Sequence, residues 1–296
     1  MMNSNTTQMK VSVIITLTLT IALSVVLSCV RSSNESLQNI ITAAERGDTM
    51  ITRGRGTYTW EQLSVRPGTS IPDYHYKYVI DFAFDGSRIN RNAVNSLDST
   101  HFPQEERYAF DGKKACRLTL QREEKDGPLV RSGHISYVPE DRMFPIRYCT
   151  DPRFVGMTML GTPVGAYLRA LSKGSFQDRR IENLRVLGRE VVDDVQCIKI
   201  GYTILRDNAA DSISVWIAPD RMYRIVKMAP SPIVQVNYRN FGKNLWFTKE
   251  ILIDTTSGIL RWTFHDDWVI NTPLPDSLFT IRFPQGISVS DLTGKE

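Results

Sequence analysis

The side chains best suited to chemistry are four histidines, four cysteines and a few adjacent acidic pairs. The histidines lie at 75, 101, 134 and 265, and only His265-Asp266-Asp267 sets an imidazole beside carboxylates. Acid–base catalysis or metal binding there needs a third group brought from elsewhere in the chain. The triplet directly precedes Trp268 and reads as a solvated strand end, and His75, within Tyr74-His75-Tyr76, as one position of an alternating strand. Glycoside cleavage needs two carboxylates facing each other across a cleft. Glu105-Glu106, Glu123-Glu124 and Asp193-Asp194 are instead neighbours in expected turns and read as solvated. No GxSxG elbow, SxxK set, P-loop or GxGxxG after a strand is present. The expectation is therefore a binding protein, not an enzyme, with no catalytic residue, no metal site and no cofactor.

Cysteines 116, 149 and 197 are separated by 32 and 47 intervening residues, which matches no local metal motif. One disulfide with a buried thiol, or three buried thiols, both fit, and the pairing stays open. Cys29 stands apart because it ends Val11 to Cys29, an apolar run without charge, preceded by Lys10. At this length the run suits the core of a secretory signal better than a membrane span of about 20 residues. Its last residues, Val26-Leu27-Ser28-Cys29, resemble the lipobox of bacterial lipoproteins. That resemblance implies cleavage before Cys29 and a lipid on its sulfur. Residues 1–28 would then be a signal peptide and residues 29–35 a tether, with an uncleaved membrane anchor as the alternative.

The chain has 296 residues, 42% of them hydrophobic and 23% charged, with a formal charge of +4. These are ordinary globular values, sufficient for a sizeable core. So small a charge, without a Lys/Arg cluster among stacking aromatics, argues against nucleic acid as a partner. Length alone allows one large domain or two small ones. The absence of a repeat or a clear linker favours one domain, residues 36–296.

Two segments carry helical periodicity. Leu37, Ile40, Ile41 and Ala44 line one face between Ser36 and Gly47, with Gly47 as the expected stop. Pro163 to Leu171 places Val164, Leu168 and Leu171 together behind a proline start. The Pro- and Gly-bearing stretch ahead of it makes residues 147–173 a candidate lid or insertion. Elsewhere the texture is β. Expected strands cover Thr52–Val65, Tyr74–Phe84, Arg107–Phe110, Ala115–Gln121 and Leu129–Val138. After the second helix come Ile181–Glu190, Gln196–Leu205, Ser212–Ala218, Tyr223–Ala229, Ile233–Phe241, Leu245–Asp254, Ile259–His265 and Phe279–Phe283. Asp111-Gly112 marks a tight hairpin, and Gly54 and Gly56 read as sites of a bulge or of close packing under the helix. Short, evenly spaced strands argue for an antiparallel meander closing toward a barrel.

Three pieces of this pattern resemble the lipoprotein-sorting carriers of the bacterial envelope, the LolA/LolB-like proteins. They are Leu37 to Tyr58, where a helix runs through Gly54-Arg55-Gly56 into a strand; Val215 to Ile225, VWIAPDRMYRI; and Asn271 to Asp291, NTPLPDSLFTIRFPQGISVSD. The resemblance implies a mainly β (α+β) protein with one antiparallel sheet curled into a half-open barrel. The N-terminal and mid-chain helices would lie over its concave face. It further implies a hydrophobic ligand in that concavity: a lipid, an acyl chain or a lipidated protein. The chain is longer than the soluble carriers and carries a tether signal, so the expectation is a non-enzymatic envelope lipoprotein, exported and membrane-tethered on the periplasmic side, of a kind that could serve lipoprotein or lipid sorting. The alternative is a sensor or scaffold module that uses the same fold to contact a partner protein.

Overall fold

The computed structural model describes residues 35–65, 72–95, 105–122, 129–137, 162–176, 179–206, 209–230, 233–255, 258–291 and 293. Cys29 and the expected signal, Cys149, His101 and residues 147–161 of the candidate lid lie outside them. Of His75, only the main chain lies within them. Leu37 to Glu296 forms one compact unit. Among its described residues sixteen strands make a single curled, open sheet. No described helix is long and apolar enough to cross a membrane.

The chain enters this sheet in its middle. After helix α1 (Leu37–Thr49), strands β1 (Arg53–Val65), β2 (Pro72–Asp85), β3 (Arg88–Asn95), β4 (Glu105–Phe110), β5 (Lys114–Arg122) and β6 (Leu129–Tyr137) step outward toward one edge. Helix α2 (Val164–Ser172) precedes the far edge, where β7 (Ser175–Phe176) begins the return. Strands β8 (Arg179–Val192), β9 (Val195–Arg206), β10 (Ala209–Ala218), β11 (Arg224–Ala229), β12 (Ile233–Asn240), β13 (Trp246–Thr255) and β14 (Gly258–Phe264) follow. They bring the chain back to the centre, where β14 pairs antiparallel with β1. A short β15 (Val269–Ile270) also pairs with β1, and β16 (Ser288–Asp291) adds to β6 in parallel.

Alternation sets which residues face inward. Strand β12 reads exposed, buried, exposed, buried along Ile233–Tyr238, and β3 buries Ile89, Arg91 and Ala93. Helix α1 buries Ile40, Ile41, Ala44 and Gly47, the expected stripe, but Gly47 sits inside the helix and does not end it. A Cβ on Gly47 would lie 2.2 Å from the Met222 carbonyl oxygen, so this position needs glycine for closeness and not for a turn. Similarly, Gly56 faces Trp268, not the helix: an added Cβ would stand 2.5 Å from the indole.

Two further expectations change. Arg88–Asn95, unmarked in the strand reading, is β3. Phe279–Phe283, read as a strand, begins with a 3-10 turn at Asp276–Phe279 and then continues without strand pairing. Its role is that of a strap on the outer face. Phe279 is buried under the Arg88 guanidinium, 4.5 Å from the ring centroid, and Arg88 also binds Asp276 and Asp85. Farther along, Phe283 closes over Gly133, whose missing Cβ leaves room for it. The strap delivers β16 to the edge beside β6, a placement that local sequence signals do not encode.

Candidate functional site

Register turns the inner face of the sheet into readable rows. One row runs Trp262–Trp60–Tyr78–Asn95 over β14, β1, β2 and β3. The next runs Phe264–Tyr58–Ile80–Ala93–Glu106–Thr119–Ser132–Ser288 from β14 to β16. A third runs Gly56–Phe82–Arg91–Tyr108–Arg117–His134–Ser290. Each begins in aromatic or apolar positions and becomes polar farther out, from β3 in the first and third rows and from β4 in the second.

The aromatic part is tightly associated. Tyr58 stacks on Phe264 at 5.2 Å between ring centroids, and Trp60 lies 5.7 Å from Tyr78 and 6.4 Å from Trp262. These separations fall within the range of attractive aromatic pairs. Trp262 is 6% exposed, and its indole N–H has no hydrogen-bond acceptor. A buried donor without a partner costs roughly 1–3 kcal/mol. An acceptor on a bound molecule would relieve that cost.

The polar part is charged and partly sunk. Arg91 is 4% exposed and donates from Nη2 to Glu106 Oε2 at 3.0 Å. Arg117, on the neighbouring strand and about half exposed, reaches the other Glu106 oxygen at 2.5 Å. Glu106, expected in a solvated turn, is thus a buried bridge between two guanidiniums. Burial lifts the phenol of Tyr108, between them in the row, above its ordinary pKa. Arg117, Thr119, Ser132, His134, Ser288 and Ser290 line an open concavity of about 310 Å³ at this end of the sheet.

The helices are fastened to the other meander. Glu45 of α1 receives both Arg169 donors of α2, at 2.5 and 2.7 Å, which holds its carboxyl below the ordinary range. Asp48 accepts the Gly165 N–H at 2.8 Å and pairs with the buried Arg224 of β11 at 3.1 Å. Burial raises the Asp48 carboxyl, and Arg224 opposes that rise. The hydroxyls of Tyr167 on α2 and Tyr202 on β9 share a short hydrogen bond. Beneath these fastenings Ile40, Ala44, Val164, Leu168, Ile200, Val215 and Ile217 are completely buried. This part of the interior is filled by the protein's own side chains.

The remaining candidates disperse. His265, Asp266 and Asp267 are all exposed, as expected of a strand end. His265 meets the Thr59 hydroxyl at 2.9 Å, Asp266 binds Arg239, and Asp267 accepts from the Thr57 N–H and hydroxyl. His134 stands apart from them on β6. Asp193 and Asp194 form an exposed turn at positive φ. Cys116 is half-buried and Cys197 buried, and both are free thiols. Among the described residues no group of three His, Cys, Asp or Glu side chains is arranged to hold a metal.

No protein-family model matches the chain, and no curated protein matches it in sequence. Among solved structures the chain is similar to a DUF1329 family protein from Desulfovibrio piger, at 8% identity and a TM-score of 0.40, over 82% of this chain and 97% of that one. It is also similar to lipoprotein LppX of Mycobacterium tuberculosis, at 14% identity and TM-score 0.29, over 82% and 99%. LprF from Mycobacterium bovis matches at 13% identity and TM-score 0.29, over 81% and 94%.

Proposed function

We propose that this chain is a non-enzymatic lipoprotein of the bacterial envelope, tethered through Cys29, that holds a hydrophobic ligand on the inner face of its open sheet. The ligand class is a lipid, an acyl chain or the acyl part of a lipidated protein, and such a ligand is compatible with a role in lipid or lipoprotein sorting. The observation that carries the reading is the row Trp262–Trp60–Tyr78, a continuous aromatic floor with one buried indole N–H lacking an acceptor. Aromatic faces offer large apolar area, and the unsatisfied donor suits an ester or amide carbonyl at the head of an acyl chain.

Organic extraction of the purified protein, followed by mass spectrometry, should release a lipid in near-stoichiometric amount. Titration with a short-chain diacylglycerol should also shift tryptophan emission. An empty extract with unchanged emission overturns the ligand reading. The tether is tested separately: Cys29→Ala should abolish membrane attachment and change the mature mass. Unchanged attachment and mass overturn the lipoprotein assignment and favour an uncleaved anchor.

A second reading, a sensor or scaffold that binds a partner protein, draws on the filled interior beneath α1 and α2. It requires a chain that carries no lipid and keeps a protein partner in detergent.

A further inference from the structure

We propose that the ligand is amphipathic and that the polar end of the inner face, over β5, β6 and β16, seats its anionic headgroup. This rests on the hydrophobic-ligand reading and adds a chemical class to it. Polar residues at an exposed sheet edge are ordinary, but buried charges on the inner face, Arg91 at 4% and Glu106 at 7% exposed, call for a reason. Here the change from apolar to charged happens within single cross-strand rows, between Ala93 and Glu106 in one and between Phe82 and Arg91 in the next. A molecule lying along such a row would have hydrogen-bonding groups at one end and, at the other, aromatic and apolar side chains that are at most 8% exposed, so its chain must part them to enter.

The sign of the headgroup follows from the charges. Arg91 and Arg117 both converge on Glu106, so two guanidiniums face one carboxylate and one positive charge is left over. The buried pair, Arg91–Glu106, is committed to each other by its lack of water. Arg117 is different: its side chain is 47% exposed and it opens onto the 310 Å³ concavity. His134 is its direct cross-strand neighbour, and Ser132 and Ser290 stand on adjoining positions of β6 and β16. A guanidinium, an imidazole and hydroxyls around one space form a donor set for phosphate or carboxylate oxygens. The acidic Asp291 of β16 falls at the alternate position, so it faces away from Ser290.

The experiment compares two lipids with identical acyl chains, phosphatidic acid and diacylglycerol, binding to the full-length protein in neutral detergent. Wild type should prefer phosphatidic acid by about tenfold, the scale of one charge-assisted contact. In R117Q/H134Q that ratio should fall toward one. Added salt should weaken phosphatidic acid binding to wild type and leave diacylglycerol binding unaffected. The salt arm needs no variant, so a misfolded R117Q/H134Q cannot mask the answer. Equal affinity of wild type for the two lipids, with no salt dependence, overturns the headgroup seat and leaves the hydrophobic-ligand reading standing. Failure to bind either lipid overturns both. Inorganic phosphate that competes as well as phosphatidic acid shows a free-anion site and overturns the lipid assignment.

Discussion

Beneath the helices, strands β9, β10 and β12 present Ile198, Ile200, Val215, Ile217, Val234 and Val236 to the interior, all at most 1% exposed. Strands β3 to β6 occupy the mirror position on the other side of β1, yet they present Arg91, Glu106, Arg117 and His134. The backbone is the same kind of antiparallel meander in both. What differs is the covering: the second meander is latched under α1 by Arg224–Asp48, α1 is joined to α2 by Glu45–Arg169, and the interior there is spent on the protein's own side chains. A sheet can thus divide labour, with one half packed for stability and the other leaving charged surface open, as the proposed headgroup seat requires.

The strongest way to break that comparison is to cut the latch. Arg224→Ala removes the cationic partner of Asp48 where both side chains are less than one-tenth exposed. Leaving a buried carboxylate uncompensated costs about 3–5 kcal/mol. Denaturant unfolding should show a loss of that size. A loss below 1 kcal/mol would mean that the helices are not held by this pair, and the distinction between the two halves would lose its basis.

The junction of the halves is next. Gly56 lies in β1 against Trp268, which itself rests on Phe247 and Phe264 at 4.8 and 5.6 Å and donates to the Thr57 carbonyl at 2.8 Å. An indole so held cannot retreat from a methyl placed 2.5 Å away. Gly56→Ala should therefore cost about 1–3 kcal/mol, the usual penalty of overpacking, with a shift in tryptophan emission. A thermal scan with an unchanged midpoint would show that Trp268 is loosely seated.

The open half should behave in the opposite way. Arg117→Gln removes an ion pair whose cation is about half exposed, while Glu106 keeps Arg91. Its effect on stability should stay below about 1 kcal/mol. Equal costs for Arg117→Gln and Arg224→Ala would erase the contrast between an open and a latched guanidinium.

Much of this arrangement is legible in the chain itself, and the exceptions have one physical cause. The stripe of Ile40, Ile41 and Ala44, the Asp111-Gly112 hairpin and the alternating strands β9 to β14 follow from local periodicity and turn chemistry. At the hairpin, Asp111 accepts the Lys113 and Lys114 N–H groups at 2.8 Å, and the Lys114 bond foremost holds its carboxyl below the ordinary range. Strand β3 escapes the same reading because its inward series is Ile89, Arg91, Ala93: a buried arginine looks like a solvated one in sequence. Glu106 is hidden likewise, since its partner is fifteen residues away in a strand that is itself obscured. Strand β16, four exposed residues in parallel pairing, has no local signal at all. The polar half of the inner face is thus the part that periodicity cannot find, because its residues break the rule that inward means apolar.

The smallest expected effect is chemical and changes no stability. Cys197 lies on β9 inside the latched half, 1% exposed, and burial pushes its thiol up to about 11. At pH 8 only about 0.1% of it would be thiolate, the reactive form. Cys116, on β5 in the open half, is also raised by burial but is only half-buried. Native alkylation with iodoacetamide, read by peptide mapping, should mark Cys116 well before Cys197, and unfolding should make the two equal. Comparable native labelling would mean that β9 opens as readily as β5. The helices would then cover the second meander without stabilising it, and the division of labour would have to rest on the electrostatics of Arg91, Glu106 and Arg117 alone.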